Sequence, residues 1–243
     1  MALSETELLY NLALGYVGEY EVTEGNTTEK QYQLCDRYYA MARDKVLSMH
    51  PWNEAKTRTM IMQETTAPLF GLTYSFALPS DNLRVLSIGE TKYDWEVEGQ
   101  YIYADYAKSP PTWATATDYV VGQYVDTGSL TYLCNTTHTS GTFATDLASA
   151  YWTSQGDEYK ILEVEYMKQL TDITKFSAKL KNAIALYLAT LIVTPITNNP
   201  QNKKLLVEEF VSMIMPEARS IDSMQGKPKP MFNSSWLRSR HSF

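Results

Sequence analysis

The sequence predicts an α+β protein: a helical bundle of about four helices with a small antiparallel β part, a small all-β inserted domain and an extended C-terminal tail. Three observations predict it. Residues 31–49 and 176–192 carry apolar side chains at helical period. Residues 57–106 break into short β-like runs. Residues 109–156 contain no Lys, Arg or Glu, yet hold eleven Thr and seven aromatic residues.

Ser4-Glu5-Thr6-Glu7 reads as a capping box, with Leu3 and Leu8 as its hydrophobic staple. Leu8, Leu9, Leu12 and Ala13 then form one apolar face, and Gly15 and Gly18 end the helix. A turn at Glu24-Gly25-Asn26-Thr27 leads into a longer helix with the stripe Tyr32, Cys35, Tyr39, Ala42, Val46, Met49. Its steps alternate between three and four residues. His50-Pro51 stops it, because proline lacks the N–H that would continue the ladder. Residues 59–63, 83–88 and 93–97 read as strands. Residues 93–97, the turn Glu98-Gly99-Gln100 and residues 101–103 read as a hairpin, whose third strand is expected at 159–166.

The block 109–156 opens on Pro110-Pro111 and closes on Gly156. Without it, residues 101–106 and 158–166 would join as neighbouring strands, so the block reads as a domain inserted into a surface loop. The expected division is residues 1–108 with 157–225 for the core, 109–156 for the insert and 226–243 for the tail. From Lys175 the helical period returns. Phe176, Leu180, Ala183, Ile184, Tyr187, Leu188, Leu191 and Ile192 make a wide face that predicts deep burial. Pro195 ends this helix. Asn199 caps the next and Pro200 opens it. Leu205, Leu206, Glu209, Phe210 and Met213 follow, and Pro216 kinks or ends it. Residues 226–243 carry Lys227, Lys229, Arg238 and Arg240 and no acid. Pro228 and Pro230 keep them extended. Phe232, Trp236, Leu237 and Phe243 suggest a docking segment that orders on a partner.

With 44 % apolar and 20 % charged residues, the chain reads as globular rather than disordered. Its net charge of -7 argues against nucleic-acid binding by the whole surface, since phosphate repels an acidic body. DNA sliding past an acidic wall remains compatible with it. Cys35 and Cys134 give neither a disulfide framework nor a zinc pattern, and both are expected as reduced thiols. The N-terminal residues lack the basic flank and apolar run of a signal peptide. The most apolar stretch, 183–193, is too short for a bilayer. A soluble protein made in a cytoplasm is expected. His50, His138 and His241 lack a second His or Cys at ligand spacing, so no metal or cofactor is expected. No Gly-rich phosphate loop, Gly-x-Ser-x-Gly elbow or His-Glu-x-x-His motif occurs. Glu163 with Glu165, and Glu208 with Glu209, read as solvated faces more readily than as acid–base pairs. No catalytic residue is assigned, and the chain is expected not to be an enzyme. The rival enzymatic reading is a glycan hydrolase built on a carboxylate pair.

Asn11-Leu12-Ala13-Leu14-Gly15 is followed by the helix bearing Cys35, Tyr39, Ala42, Arg43 and Val46-Leu47, then by His50-Pro51-Trp52-Asn53 and the strand at 58–61. Leu78-Pro79-Ser80-Asp81 with Leu83-Arg84-Val85, the strand at 159–166 and the helix at 176–191 come next. In this order and spacing the chain resembles the tail tubular protein A family, the head-to-tail adaptors of short-tailed bacteriophages. The resemblance covers everything outside residues 109–156. It implies a virion neck protein, made in the host cytoplasm, that forms a ring, usually of twelve copies, between the portal and the tail nozzle or a tail tubular protein B-like component. DNA passes through the lumen without sequence recognition, and no membrane is involved. In related adaptors the C-terminal segment reaches up along the portal, and Phe232, Trp236, Leu237, Arg238 and Arg240 of the tail suit that docking, with Trp236 and Arg238 as interface-type anchors.

The insert runs Trp113, five residues, Tyr119, two residues, Gly122, two residues, Val125, then Tyr132-Leu133-Cys134, His138-Thr139-Ser140 and Trp152. In this pattern it resembles small chitin-binding-like carbohydrate-binding modules. Three roles stand open for Trp113, Tyr119, Tyr132, His138 and Trp152. They stack on sugar rings, they form the core of a very small domain, or they dock another tail protein such as a fibre. A carbohydrate-binding accessory protein acting through the insert is therefore the alternative to the adaptor.

Overall fold

The structure, a computed structural model, describes residues 3–90, 92–156 and 159–225. In chain order, helices α1 (Glu5–Val17) and α2 (Lys30–Met49) precede strands β1 (Lys56–Met62), β2 (Tyr74–Ala77), β3 (Asn82–Ile88), β4 (Trp95–Glu98) and β5 (Tyr101–Ala104). The insert follows with β6 (Asp118–Tyr119), β7 (Tyr124–Asp126), β8 (Thr131–Cys134), β9 (His138–Thr139), α3 (Phe143–Ala148) and β10 (Trp152–Gly156). Strand β11 (Ile161–Lys168), a 3-10 turn (Ile173–Lys175), α4 (Ala178–Thr197), α5 (Pro200–Glu209), a π turn (Phe210–Ile214) and α6 (Met215–Ser223) complete it. The class is α+β. The described residues fall into two units: Ala55–Gln169, and the flanking residues up to Glu54 and from Leu170.

In the helical unit, Ser4 and Glu7 close the capping box, and Glu7 Oε1 also accepts the Gly25 N–H at 2.9 Å. The carboxylate thus ties the start of α1 to the turn before α2. Gly18 ends α1 at φ 80°, a left-handed cap that glycine adopts without strain, whereas Gly15 lies inside the helix. The apolar face is rotated from the expected one. Leu9, Tyr10, Ala13 and Leu14 are buried, and Leu8 and Leu12 face outward. Leucines flank both arcs, so the sequence pattern fits either, and packing on α4 and α2 selects one. Asn11, buried, bonds the main chain of Val22 through both of its amide atoms.

On α2, Cys35, Ala42 and Val46 of the stripe are buried together with Leu47 and Arg43. Tyr32 and Tyr39 meet Tyr10 edge-on, with centroids 5.5 and 5.8 Å apart. α4 is the centre of this unit, touching α1, α2, α5 and α6. It is twenty residues long, longer than the 183–193 stretch, and by length and composition it matches a membrane span, although more than half of its apolar window is buried within the unit. Pro195 does not end it. The helix runs to Thr197 and closes on Asn198 at φ 53°. A proline in the last turn forfeits only one bond, and the left-handed Asn198 supplies the stop.

Nor does Pro216 break the last helix. The five-residue π turn joins α5 to α6, and the buried residues become Leu206, Phe210, Met215, Ala218 and Asp222. Their spacing is four, five, three, four. A straight α-helix would turn Met215 off the stripe, and the wider turn restores it while freeing the proline from an interior helical bond. Of the apolar residues in this run, Leu205 and Met213 are exposed.

In the second unit, β11 lies between β1 and β3, antiparallel to both, and β5 lies between β2 and β4. The hairpin β4–β5 forms as expected, but its third strand is β2, not residues 159–166. Ile61, Phe76, Ile88, Ile102, Leu162, Val164 and Tyr166 fill one core between these two sheets. β5 and β11 are therefore neighbours across a core rather than within a sheet. The insert leaves through a closed neck, where Lys108 and Ile161 exchange two main-chain hydrogen bonds of 2.9 and 2.8 Å. Its own cluster is Tyr119, Val125, Tyr132, Cys134 and Trp152. It also contains the short helix α3, which Thr142 caps by accepting from the Thr145 N–H.

Candidate interaction surfaces

The insert brings its five singled-out residues together, but as a core. Trp152, on β10 opposite Cys134, meets Tyr119 edge-on at 5.0 Å and His138 at 5.5 Å. Phe143 of α3 closes the other side, edge-on to Trp113 at 5.4 Å and Tyr132 at 4.9 Å. Tyr119, Tyr132 and Trp152 are buried, and Trp113 is half-buried. A sugar platform needs open ring faces, and these three rings have none to offer. His138 sets one ring nitrogen 2.7 Å from the Thr136 carbonyl, so that Nδ1 donates there. Its Nε2 lies 3.7 Å from an Asp146 oxygen, too far for a hydrogen bond. A module this small spends its aromatic residues on its own folding.

Glu163 and Glu165 project from one face of β11 and line a cleft of about 580 Å³ with Arg58, Met60, Gly89 and the insert loop at Val120 and Val121. Both carboxylates are engaged. Lys108 Nζ donates to Glu163 at 3.0 Å, which raises the lysine pKa, and Ser87 Oγ donates to Glu165 at 3.3 Å with Arg58 3.8 Å away. Gly89 leaves room for Glu163, since a Cβ there would lie 2.8 Å from its Oε2.

The turn His50-Pro51-Trp52-Asn53 is a clamp. Trp52 is buried and donates its Nε1–H to the Val46 carbonyl at 2.9 Å. His50 Nε2 lies 2.9 Å from Asp222 Oδ2, the Asn53 N–H donates to Asp222 Oδ1 at 3.0 Å, and Asn53 Nδ2 donates to the Asp222 carbonyl at 2.7 Å. The turn thereby holds the end of α6. Asp222 escaped the sequence reading, because its partners are about 170 residues away and no local signal marks it.

Apolar side chains point outward in both units. Leu8 and Leu12 form a pair on α1, and Leu205, Val211 and Met213 lie on α5 and the π turn. At residues 68–72, Leu69 is 97 % and Phe70 90 % exposed. Charge is split between the units. Residues 55–169 hold seven Lys and Arg against fourteen Asp and Glu, and the other residues hold fourteen of each, so the whole -7 belongs to the β unit. Phe232, Trp236, Leu237, Arg238 and Arg240, the residues expected to dock on a portal, lie outside the described residues. Among the described residues, no three His, Cys, Asp or Glu side chains gather as a metal site. No family model and no curated protein matches the chain.

Proposed function

We propose that the protein is a structural virion subunit, the adaptor that joins the portal to the tail of a short-tailed phage as a ring through which DNA passes. The observation that carries the reading is the ordered run of motifs from Asn11 to the helix at 176–191, centred on His50-Pro51-Trp52-Asn53. The outward apolar side chains of α1, α5 and the π turn support it, since leucine and methionine on helix surfaces suit docking to other subunits. In this reading the chain catalyses nothing. The carboxylates of β11 are held by Lys108, Arg58 and Ser87 in a structural role. The insert is an accessory that docks another tail protein, such as a fibre, rather than a sugar, because its aromatic rings face one another. The chain's tail, through Trp236 and Arg238 among others, attaches to the portal.

The purified chain should form a ring on the portal of its own phage, seen by electron microscopy of the mixture. A chain that binds neither that portal nor its own copies overturns the reading.

A further inference from the structure

We propose that residues 227–231 of one copy add, as a parallel strand, to the open edge of β4 in a second copy, with Lys227 beside Glu96 and Lys229 beside Glu98. The contact rests on the ring reading and supplies one joint between subunits.

β4 is the outer strand of its sheet, with β5 on one side and no strand on the other among the described residues. The hydrogen bond from the Asp105 N–H to the Asp94 carbonyl, 3.1 Å, sets the phase of the ladder. Residues 94, 96 and 98 turn their main-chain groups to β5, which leaves those of Trp95 and Val97 on the open edge. Such an edge accepts an added strand. Glu96 stands opposite Tyr103 and Glu98 opposite Tyr101, so all four side chains share the outer face, while Trp95 packs toward the core. Glu96 and Glu98 are exposed. Beside them, Pro68, Leu69, Phe70, Leu72 and Tyr103 complete a cleft of about 430 Å³.

The segment Lys227-Pro228-Lys229-Pro230-Met231 fits this edge. In an extended chain, alternate residues present their main-chain groups to opposite edges. The prolines lack N–H, so Lys227, Lys229 and Met231 hold all the donors on one edge, and the other edge has none. Such a strand pairs on one side only and ends the sheet. The two lysines share a face at the spacing of Glu96 and Glu98. In antiparallel addition the lysines would fall opposite Trp95 and Val97, on the wrong face. In parallel addition each lysine bonds the main chain flanking a glutamate and lies beside it, giving two opposite-charge pairs. Met231 follows on the same face. The tail carries four basic residues and no acid, and the unit that receives it carries the chain's whole negative charge. A contact between unlike patches makes every copy both donor and acceptor, the geometry that closes rings. Residues 232–243 remain for the portal.

The test uses full-length chains with reversed charges. Glu96→Lys/Glu98→Lys and Lys227→Glu/Lys229→Glu should each associate about tenfold more weakly than wild type in sedimentation equilibrium at low salt. Their equimolar mixture should regain wild-type association, because each tail then meets an opposite edge only in the other variant. A labelled peptide of residues 226–234 should bind wild type and not the Glu96→Lys/Glu98→Lys chain, whose circular dichroism is unchanged. Variants that associate like wild type, a mixture that stays dissociated as a contact within one chain requires, or a peptide indifferent to the edge charges overturns the proposal. A charge-reversed variant that still completes rings on the portal removes this joint and leaves the adaptor reading standing. Loss of portal binding by wild type with peptide binding intact does the reverse.

Discussion

Glu7 shows how one side chain organises the start of the helical unit. Its carboxylate accepts from the Ser4 main chain, the Ser4 hydroxyl and the Gly25 main chain. Those donors, the Ser4 N–H first, hold its pKa below the ordinary 4.5. A carboxyl lowered in this way stabilises the fold above its unfolded pKa and loses that contribution as pH falls through the lower folded value. Glu7→Gln should therefore be less stable than wild type at pH 7, and the difference should shrink below about pH 4.5. Urea unfolding at a series of pH values measures it, and a difference independent of pH would remove the charge from the explanation. Cys35 sits at the opposite extreme. Burial, with a smaller push from Asp36, raises its thiol to about 12, so it packs as an apolar group rather than reacting.

The elements depend on departures from regular period as much as on the period itself. In the last helix the five-residue step from Phe210 to Met215 aligns the buried stripe. Met215→Ala should cost about 2–4 kcal/mol through the cavity it leaves, whereas Ile214→Ala should cost less than about 1. Denaturant midpoints at unchanged slope read both. Equal costs would mean that the helix is regular through this region. The start of this helix was legible from Asn199 and Pro200, its prolonged run past Pro216 was not. A helical period counted from Phe210 lands on Met213 and Ile214, and only burial against the unit's core favours the wider turn. The strands follow the same rule. The β4–β5 hairpin was legible from its turn, because the pairing is local. The third strand was not, since β2 and β11 have equally suitable alternation.

At the scale of the molecule, the insert hangs from the Lys108–Ile161 neck and keeps its own aromatic core. Replacing residues 109–156 by Asn-Gly should leave the rest folded, with a melting temperature within about 5 °C of wild type. Calorimetry checks this, and loss of the cooperative transition would show that the insert is part of the unit's core. The acidic β unit and neutral helical unit also give the chain an uneven charge, one that composition alone reports only as -7.

Sequence alone determined what is written within a few residues: the capping box at Ser4 and Glu7, the stop at His50-Pro51, the cap at Asn199, the buried run of α4, the β4–β5 turn and the separate composition of residues 109–156. Tertiary structure alone decided which arc of α1 is buried, which strand joins the hairpin, where the π turn falls, that Asp222 lies under His50 and Asn53, and that the aromatic rings of the insert face inward. Local signals are hydrogen bonds and steric limits between near neighbours, and the chain carries them wherever it goes. The other choices lie between patterns of nearly equal local merit, and burial across the whole unit separates them.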